Sequence, residues 1–266
     1  MSRHRWTLKK AWKAKRQGSV WIVEDQKGRR GYFKFATKRQ WFFSGPMIAN
    51  EFIAAALARR LGFPVASLEI AVVRGPDGKK RKGIVSKEKK AAEVIQWKDA
   101  APEVKRDPEK YVNRTGLLSQ LVVFDAWIAN IDRSTGKNLI LYREHPDEKY
   151  DWYLIDHGLA LYGSPNKWRY YGKWNSPAWR RLWRHYHVPK GLLQLQSSAQ
   201  KLEPMIAKIE SLSRQEIDAA IRSAPKEFLR EKERKFIRRL LGYRQRQLRK
   251  IIQRWLKFQG TKENAG

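Results

Sequence analysis

The densest polar cluster in otherwise apolar surroundings is Asn130-Ile131-Asp132-Arg133-Ser134-Thr135-Gly136-Lys137-Asn138. A second carboxylate, Asp156, ends the apolar stretch from Trp152 to Ile155 and is followed by His157-Gly158. Metal-dependent phosphoryl transfer needs such a set: one carboxylate to accept a hydroxyl proton, and a carboxylate with an amide oxygen to hold Mg²⁺ against phosphates. Asp132, Asn138 and Asp156 fit those roles. Upstream, Lys34 is the only Lys inside the apolar run Tyr-Phe-Lys-Phe, where a strand could aim one positive charge at a phosphate. Glu51 is placed to pair with it. Gly18-Ser19 offers one glycine where a phosphate loop is usually glycine-rich. Taken singly, each also has a plain reading. Asp132 fits a cap or turn, Asp156-His157-Gly158 a strand-end turn, Lys34 a snorkelling edge residue and Glu51 a surface residue of a first helical turn. Their order along the chain favours the chemical reading.

The elements that would position them follow from periodicity. Val20 to Glu24 and Gly31 to Ala36 read as a hairpin closed by Asp25 to Gly28. Pro46 to Leu61 has helical apolar spacing, opens on Pro and is followed by Gly62 and Pro64. Val65 to Val73 and Gly83 to Val85 predict a second hairpin with the basic run 79–82 at its tip, and a short strand follows at Val94 to Trp97. The polar, two-proline segment 98–114 reads as a boundary. Beyond it, 117–130 predicts a buried helix, and Asn138 to Arg143 and Trp152 to Ile155 predict two short strands. Helices follow at Leu202 to Leu212, at Arg214 to Ser223 behind a Ser213/Glu216 capping box, and within 226–257. The order is that of an α+β chain of two lobes. The expected division is a β-rich first lobe over 1–98, a linker over 99–114, a helical second lobe over 115–258 and a tail over 259–266.

Composition narrows the field. The chain has 266 residues, 57 Lys and Arg against 26 Asp and Glu for a net charge of +31, 42% hydrophobic residues, 12 Trp and no Cys. That much apolar surface can bury a core, so the charge does not mean disorder. Without Cys there are no disulfide frameworks, thiol nucleophiles or iron–sulfur clusters. The amino terminus lacks an apolar segment of secretory length, and no apolar run approaches the ~20 residues that span a bilayer. A cytoplasmic location is the expectation.

The segment FDAWIANIDRSTGKNLIL followed by WYLIDHGLAL resembles the catalytic and metal-binding loops of the HipA-like and phosphatidylinositol-kinase-like branch of the protein-kinase superfamily. GYFKFA and NEFIAAALARRLGFPVA resemble the amino-terminal lobe of HipA-like kinases, and LIDHGLALYGSPNKWRYYGKW resembles the region after the metal-binding Asp in type II phosphatidylinositol 4-kinases. The resemblance covers roughly residues 18–190. It implies a two-lobed protein-kinase-like fold using ATP and Mg²⁺. It makes Lys34 the phosphate-contacting lysine, with Glu51 its partner. Asp132 becomes the catalytic base, and Asn138 and Asp156 the Mg²⁺ ligands. Two departures stand out. The interval from Asp132 to Asn138 is six where the kinase loop has five, which requires a bulge, with Gly136 the candidate. Ser134 and His157 also replace the more common His and Phe. The implied activity is transfer of the γ-phosphate to a protein serine or threonine hydroxyl. Alternatives are a lipid kinase of the same superfamily, or a nucleic-acid-binding protein or pseudokinase on that fold.

No acidic residue lies between His157 and Leu202, where Trp168, Trp174, Trp179 and Trp183 alternate with cations. This reads either as a polyanion-binding face or, preferred for the Trp residues, as packing of the second lobe. Residues 226–257 hold 13 Lys and Arg against 3 acidic residues. The polyanion that such charge would attract is nucleic acid, an acidic protein or an anionic lipid surface. His185-Tyr186-His187 lacks the further ligands a metal site needs.

Overall fold

The computed structural model describes residues 6–14, 18–38, 41–42, 45–162, 177, 181–196 and 198–263. The expectations for Trp168, Trp174 and Trp179 lie outside them. Antiparallel pairing builds a five-stranded sheet in the order β1-β2-β3-β5-β4, from Thr7–Ala14, Gly18–Glu24, Arg30–Lys34, Lys80–Lys87 and Leu68–Arg74. Alternation along the strands sends Trp21, Val23, Phe33, Val73 and Val85 into one small apolar cluster with Trp6 and Phe35. Lys34, one position after Phe33, therefore points to the opposite face. Its backbone is pinned by a close approach from β5: a Cβ on Gly83 would lie 2.0 Å from the Lys34 carbonyl oxygen.

Helix α1, Met47–Leu61, follows β3 and buries Ile48, Ile53, Leu57 and Leu61, together with Asn50 and Glu51. It stops at Gly62, whose φ of 92° is left-handed, while Phe63 N–H reaches back to Ala58 O at 2.9 Å. Before entering β4, the chain touches the strand Asp151–Leu154 of the second lobe. Leu154 N–H donates to Pro64 O at 2.9 Å and Ala66 N–H to Leu154 O at 3.0 Å.

The second lobe holds a three-stranded sheet, β6-β7-β8, from Glu93–Gln96, Leu139–Arg143 and Asp151–Leu154. Its helices are α2, Pro102–Arg106; α3, Pro108–Tyr111; α4, Thr115–Leu118; α5, Leu121–Trp127; α6, Leu193–Gln196; α7, Ala199–Glu210; α8, Arg214–Arg222; and α9, Glu231–Glu263. The capping box opens α8 as expected, with Ser213 Oγ accepting from Glu216 N–H and the Glu216 carboxylate accepting from Ser213 N–H. Four Trp residues, Trp97, Trp127, Trp152 and Trp255, are fully buried. Each indole N–H donates to a backbone carbonyl, of Lys190, Leu241, Asn113 and Tyr186 respectively. Trp183 is half-buried and packs on Phe258 with ring centroids 5.6 Å apart.

Several elements differ from the sequence expectation. The basic stretch 7–14 forms an edge strand, so Gly18 and Ser19 lie inside β2, opposite Ala14 and Lys13, and not ahead of a first strand. Strand β5 already begins at Lys80, so only Lys79 of the basic run is left in the turn. The strand expected near Val94 pairs with β7 of the second sheet. Helices α2 and α3 occupy much of the expected linker, and the expected helix 117–130 is two, α4 and α5. The last helix continues to Glu263. No helix among the described residues is long and apolar enough to cross a membrane.

The lobe's centre is fastened by Arg244 of α9, which is buried. Its Nε donates to Ala126 O at 2.8 Å and Trp127 O at 3.2 Å, and its Nη2 bonds Tyr186 Oη. Both carbonyls stand where α5 ends, Ala126 O also accepting from Ala129 N–H and Tyr186 Oη, and a cation there suits the negative end of the helix dipole. Arg244→Met keeps the stem and strands the Trp127 carbonyl, while Ala126 O keeps the Ala129 N–H and Tyr186 Oη. At about 1–3 kcal/mol for a buried group left unsatisfied, the variant should lose roughly that much, read as a lowered urea midpoint.

Candidate active site

The site lies where β3, α1 and the loop after β8 meet. Lys34 Nζ stands 2.9 Å from Glu51 Oε1 and 2.9 Å from Asp156 Oδ1. Glu51 is 4% exposed, which excludes the surface reading, and its Oε2 accepts the His157 N–H at 2.7 Å. One ammonium thus joins a strand of the first lobe, a helix and the loop of the second. Burial opposes charge on Lys34, but its two carboxylates prevail and raise its pKa above the ordinary lysine value. For Asp156, burial pushes upward and Lys34 outweighs it, holding the carboxyl below the usual range. Glu51 moves up, because burial at its deeper position exceeds the pull of Lys34. Asp156 takes a left-handed backbone, φ 56°, which turns its side chain back from the strand toward Lys34.

The polar loop after α5 is built around a buried ion pair absent from the sequence-based assignments. Arg133 Nε donates to Asp125 Oδ2 at 3.0 Å and Nη2 to Asp125 Oδ1 at 3.2 Å, a two-pronged contact with both side chains 5% exposed or less. Arg133 Nη1 donates to Asn138 O at 2.6 Å, and Nη2 lies 3.3 Å from His157 Nε2. His157 is fully buried beside this cation, and both effects hold its pKa well below the ordinary value, leaving a neutral ring. A neutral ring can accept the Arg133 N–H at Nε2. The same residue therefore ties the polar loop to the loop carrying Asp156. The signal in sequence was Asp125 itself, a charge inside an apolar helix, where a buried partner is required.

The long interval is absorbed at Gly136. Its φ is 72°, and a Cβ there would lie 2.8 Å from Trp97 Cδ1, so glycine is the residue that fits. The loop closes through Gly136 N–H to Arg133 O at 3.0 Å. Asn138 still reaches Asp132: its Nδ2 donates to Asp132 O at 2.8 Å and to Oδ2 at 3.2 Å. Asp132 N–H is in turn held by Asn130 Oδ1 at 3.2 Å. Burial raises the Asp132 pKa, with Lys137 opposing it.

Asp132, Asn138 and Asp156 thus come together with Lys34 and Glu51. Spending the Asn138 amide nitrogen on Asp132 leaves its oxygen available, and Asp156 Oδ2 is the carboxylate oxygen not taken by Lys34. Hard oxygen donors of this kind suit Mg²⁺. No cluster of three His, Cys, Asp or Glu that could hold a metal occurs among the described residues, so phosphate oxygens would have to complete the shell. Gly18 and Ser19 pair with β1 next to residues 15–17, which lie outside the described residues. Behind Lys34, a pocket is walled by Val65, Ala66, Leu68, Ile84 and Leu154.

Residues 37–255 match the model of the HipA-like kinase family. The chain belongs to that family. Among solved structures it is similar to the Helicobacter pylori proinflammatory kinase CtkA, at 14% identity and a TM-score of 0.61, over 95% of this chain and 96% of that one. A Golgi casein kinase aligns at 12% identity and a TM-score of 0.49, over 96% of this chain and 72% of that one. No curated protein matches the chain. The two-lobed fold of this HipA-like chain is that of a kinase, and family membership supports phosphotransferase chemistry in general.

The buried pair can be tested directly. Arg133→Met and Asp125→Leu should each cost about 3–5 kcal/mol by stranding the other charge. In denaturant titrations the double variant should lose clearly less than the two single losses combined, the mark of direct coupling.

Proposed function

We propose that the protein transfers the γ-phosphate of ATP to a serine or threonine hydroxyl of a protein, with Mg²⁺ as cofactor. The observation that carries this reading is the bridge from Lys34 to both Glu51 and Asp156, in a chain of the HipA-like family. It takes the first lobe as 1–98 apart from β6, which pairs with β7 of the second sheet, with 99–114 as the connection and 115–258 as the second lobe.

In this reading Lys34, held extended by Glu51, neutralises phosphate charge at the lobe boundary. Asp132 accepts the proton of the incoming hydroxyl, and the raised pKa that burial gives it strengthens it as a base. Asn138 and Asp156 hold Mg²⁺, which when bound supplies charge neutralisation at the phosphate oxygens. Asn138 also orients Asp132 through both of its amide bonds. Arg133 is a positioning residue, fixing the base loop to the Asp156 loop. Gly18 and Ser19 back the hairpin that would cover the phosphates. Catalysis is then mainly placement and electrostatics. The six-residue interval gives the pseudokinase alternative no support, because Asn138 still meets Asp132. The lipid-kinase alternative draws on the Trp- and Arg-rich segment, most of which lies outside the described residues. A protein acceptor and a cytoplasmic setting remain part of the proposal.

The test is incubation with γ-labelled ATP and Mg²⁺, followed by identification of the labelled residue. Wild type should label protein Ser or Thr. Lys34→Ala, Asp132→Ala and Asp156→Ala should each lower the rate by on the order of 10²–10⁴. A wild-type protein that neither transfers nor hydrolyses the γ-phosphate would overturn the enzyme reading. Label confined to an inositol lipid would remove only the protein acceptor.

A further inference from the structure

Helix α9 carries two opposed faces. Ile237, Leu240, Leu241, Leu248, Ile252 and Trp255 are buried in the second lobe. On the other side stand Lys232, Lys235 and Arg239 in the first half, then Arg246, Lys250, Arg254 and Lys257 in the second, all exposed. At 3.6 residues per turn and 1.5 Å rise these seven fall within an arc of roughly 100° and span about 38 Å. None of them pairs with a carboxylate among the described residues.

The other cations of the helix are matched. Arg238 meets Asp218 at 2.6 Å, Arg249 meets Glu203 at 2.6 Å and Glu210 at 3.0 Å, and Arg234 meets Glu231 at 3.4 Å. Glu233 is buried, accepting from Trp41 Nε1 and Arg230 N–H. Among the described residues no carboxylate is left over to neutralise the row. Beside it, a groove of about 490 Å³ between α8 and α9 adds the exposed Arg214 to Lys235, Arg239 and Arg246.

We infer that this face binds the phosphate backbone of double-stranded DNA, without sequence preference. A bilayer-bound amphipathic helix must insert its apolar face, and here that face is already packed in the lobe. A protein interface needs an apolar or aromatic anchor at its centre. The exposed large hydrophobic side chains among the described residues are Tyr32, Phe42, Ile70, Val72 and Val94, none of them on α9. Single strands are held largely by stacking on exposed aromatic platforms, whereas the rings in this arc, Phe236 and Tyr243, are half-buried and neither is among the exposed side chains. What remains is a straight, single-sign array about as long as one turn of B-DNA, which is about 34–36 Å. A duplex presents uniform charge along such a line.

The experiment is fluorescence anisotropy of the full chain with a labelled duplex of about 20 base pairs, titrated in NaCl without nucleotide. Seven phosphate contacts give a log–log salt slope near −6, and roughly a 4 × 10³-fold loss of affinity between about 50 and about 200 mM salt. The triple variant R239E/R246E/K250E should bind more than about 10-fold more weakly, with a slope shallower by about 3. Its melting temperature should stay close to that of wild type, because the three side chains are exposed. Asp156→Ala should bind the duplex as wild type does, which separates this inference from the phosphotransfer reading. Absence of duplex binding at about 50 mM salt, or a triple variant that binds duplex as tightly as wild type, would overturn the proposal. So would a loss in the triple variant confined to polyglutamate or to phosphatidylserine vesicles, which would assign the row to an acidic protein or a lipid surface.

Discussion

The structure turns on one ammonium group between two carboxylates. Lys34 reaches Glu51 and Asp156 at the same 2.9 Å, and those three residues come from a strand, a helix and a loop that are otherwise separate in sequence. Such a cluster has a net negative charge in a half-dry place, and its burial is costly unless every lone pair finds a partner. Glu51 finds Lys34 and the His157 N–H, while Asp156 keeps one oxygen free of Lys34. The arrangement leaves a negative site next to a positive one. A magnesium–phosphate pair is complementary to both.

Precision at that point depends on what stands behind it. Arg133 bonds Asp125 on α5, the carbonyl of Asn138 and the ring of His157, so one planar cation sets the distance between the two functional loops. Arg244 does related work from the other side, meeting the carbonyls of Ala126 and Trp127 at the end of α5. Both guanidiniums are about 3% exposed or less. Their partners differ: a carboxylate balances Arg133, whereas Arg244 relies on backbone dipoles and Tyr186. Burial accordingly pulls the Arg244 pKa down, against the pull of Tyr186. Helix α5 is thus clamped at its end by one buried cation and through Asp125 by another.

Much of the site was legible because its charges interrupt apolar runs. Lys34 in Tyr-Phe-Lys-Phe, Glu51 in α1 and Asp156 after β8 each break a pattern that burial would otherwise dictate, and all three meet. Gly136 was legible too, since an interval one residue too long needs a flexible position. The Asp125–Arg133 pair was harder to see, because a charge inside the α5 pattern demands a partner without naming it. Strand β1 was hidden for a different reason. Its Lys-rich sequence has little alternation, and pairing with β2 through an irregularity between Leu8 and Lys10 decides its conformation. Lysines on an edge strand also discourage pairing with another chain. The partner of β6 was equally out of reach, since local residues state that a strand forms and not which sheet it joins.

The charge of +31 divides into parts with different physical standing. Lys34, Arg133 and Arg244 are interior cations whose partners hold the fold together. Around the rim, pairs such as Arg238 with Asp218 and Arg249 with Glu203 contribute little each in water. The row on α9 is the part that works against folding. Lys235 and Arg239, Arg246 and Lys250, and Lys250 and Arg254 are like charges four residues apart, each pair costing about 0.2–0.5 kcal/mol. The apolar stripe of the same helix, sealed by Trp255 and Leu248, easily offsets that cost at about 1.5–3 kcal/mol for a fully buried large side chain. A helix so firmly docked can hold a row of mutually repelling charges rigid in water. Because the lobe has already ordered the helix, a polyanion that meets the row relieves the repulsion and has only the side chains left to order.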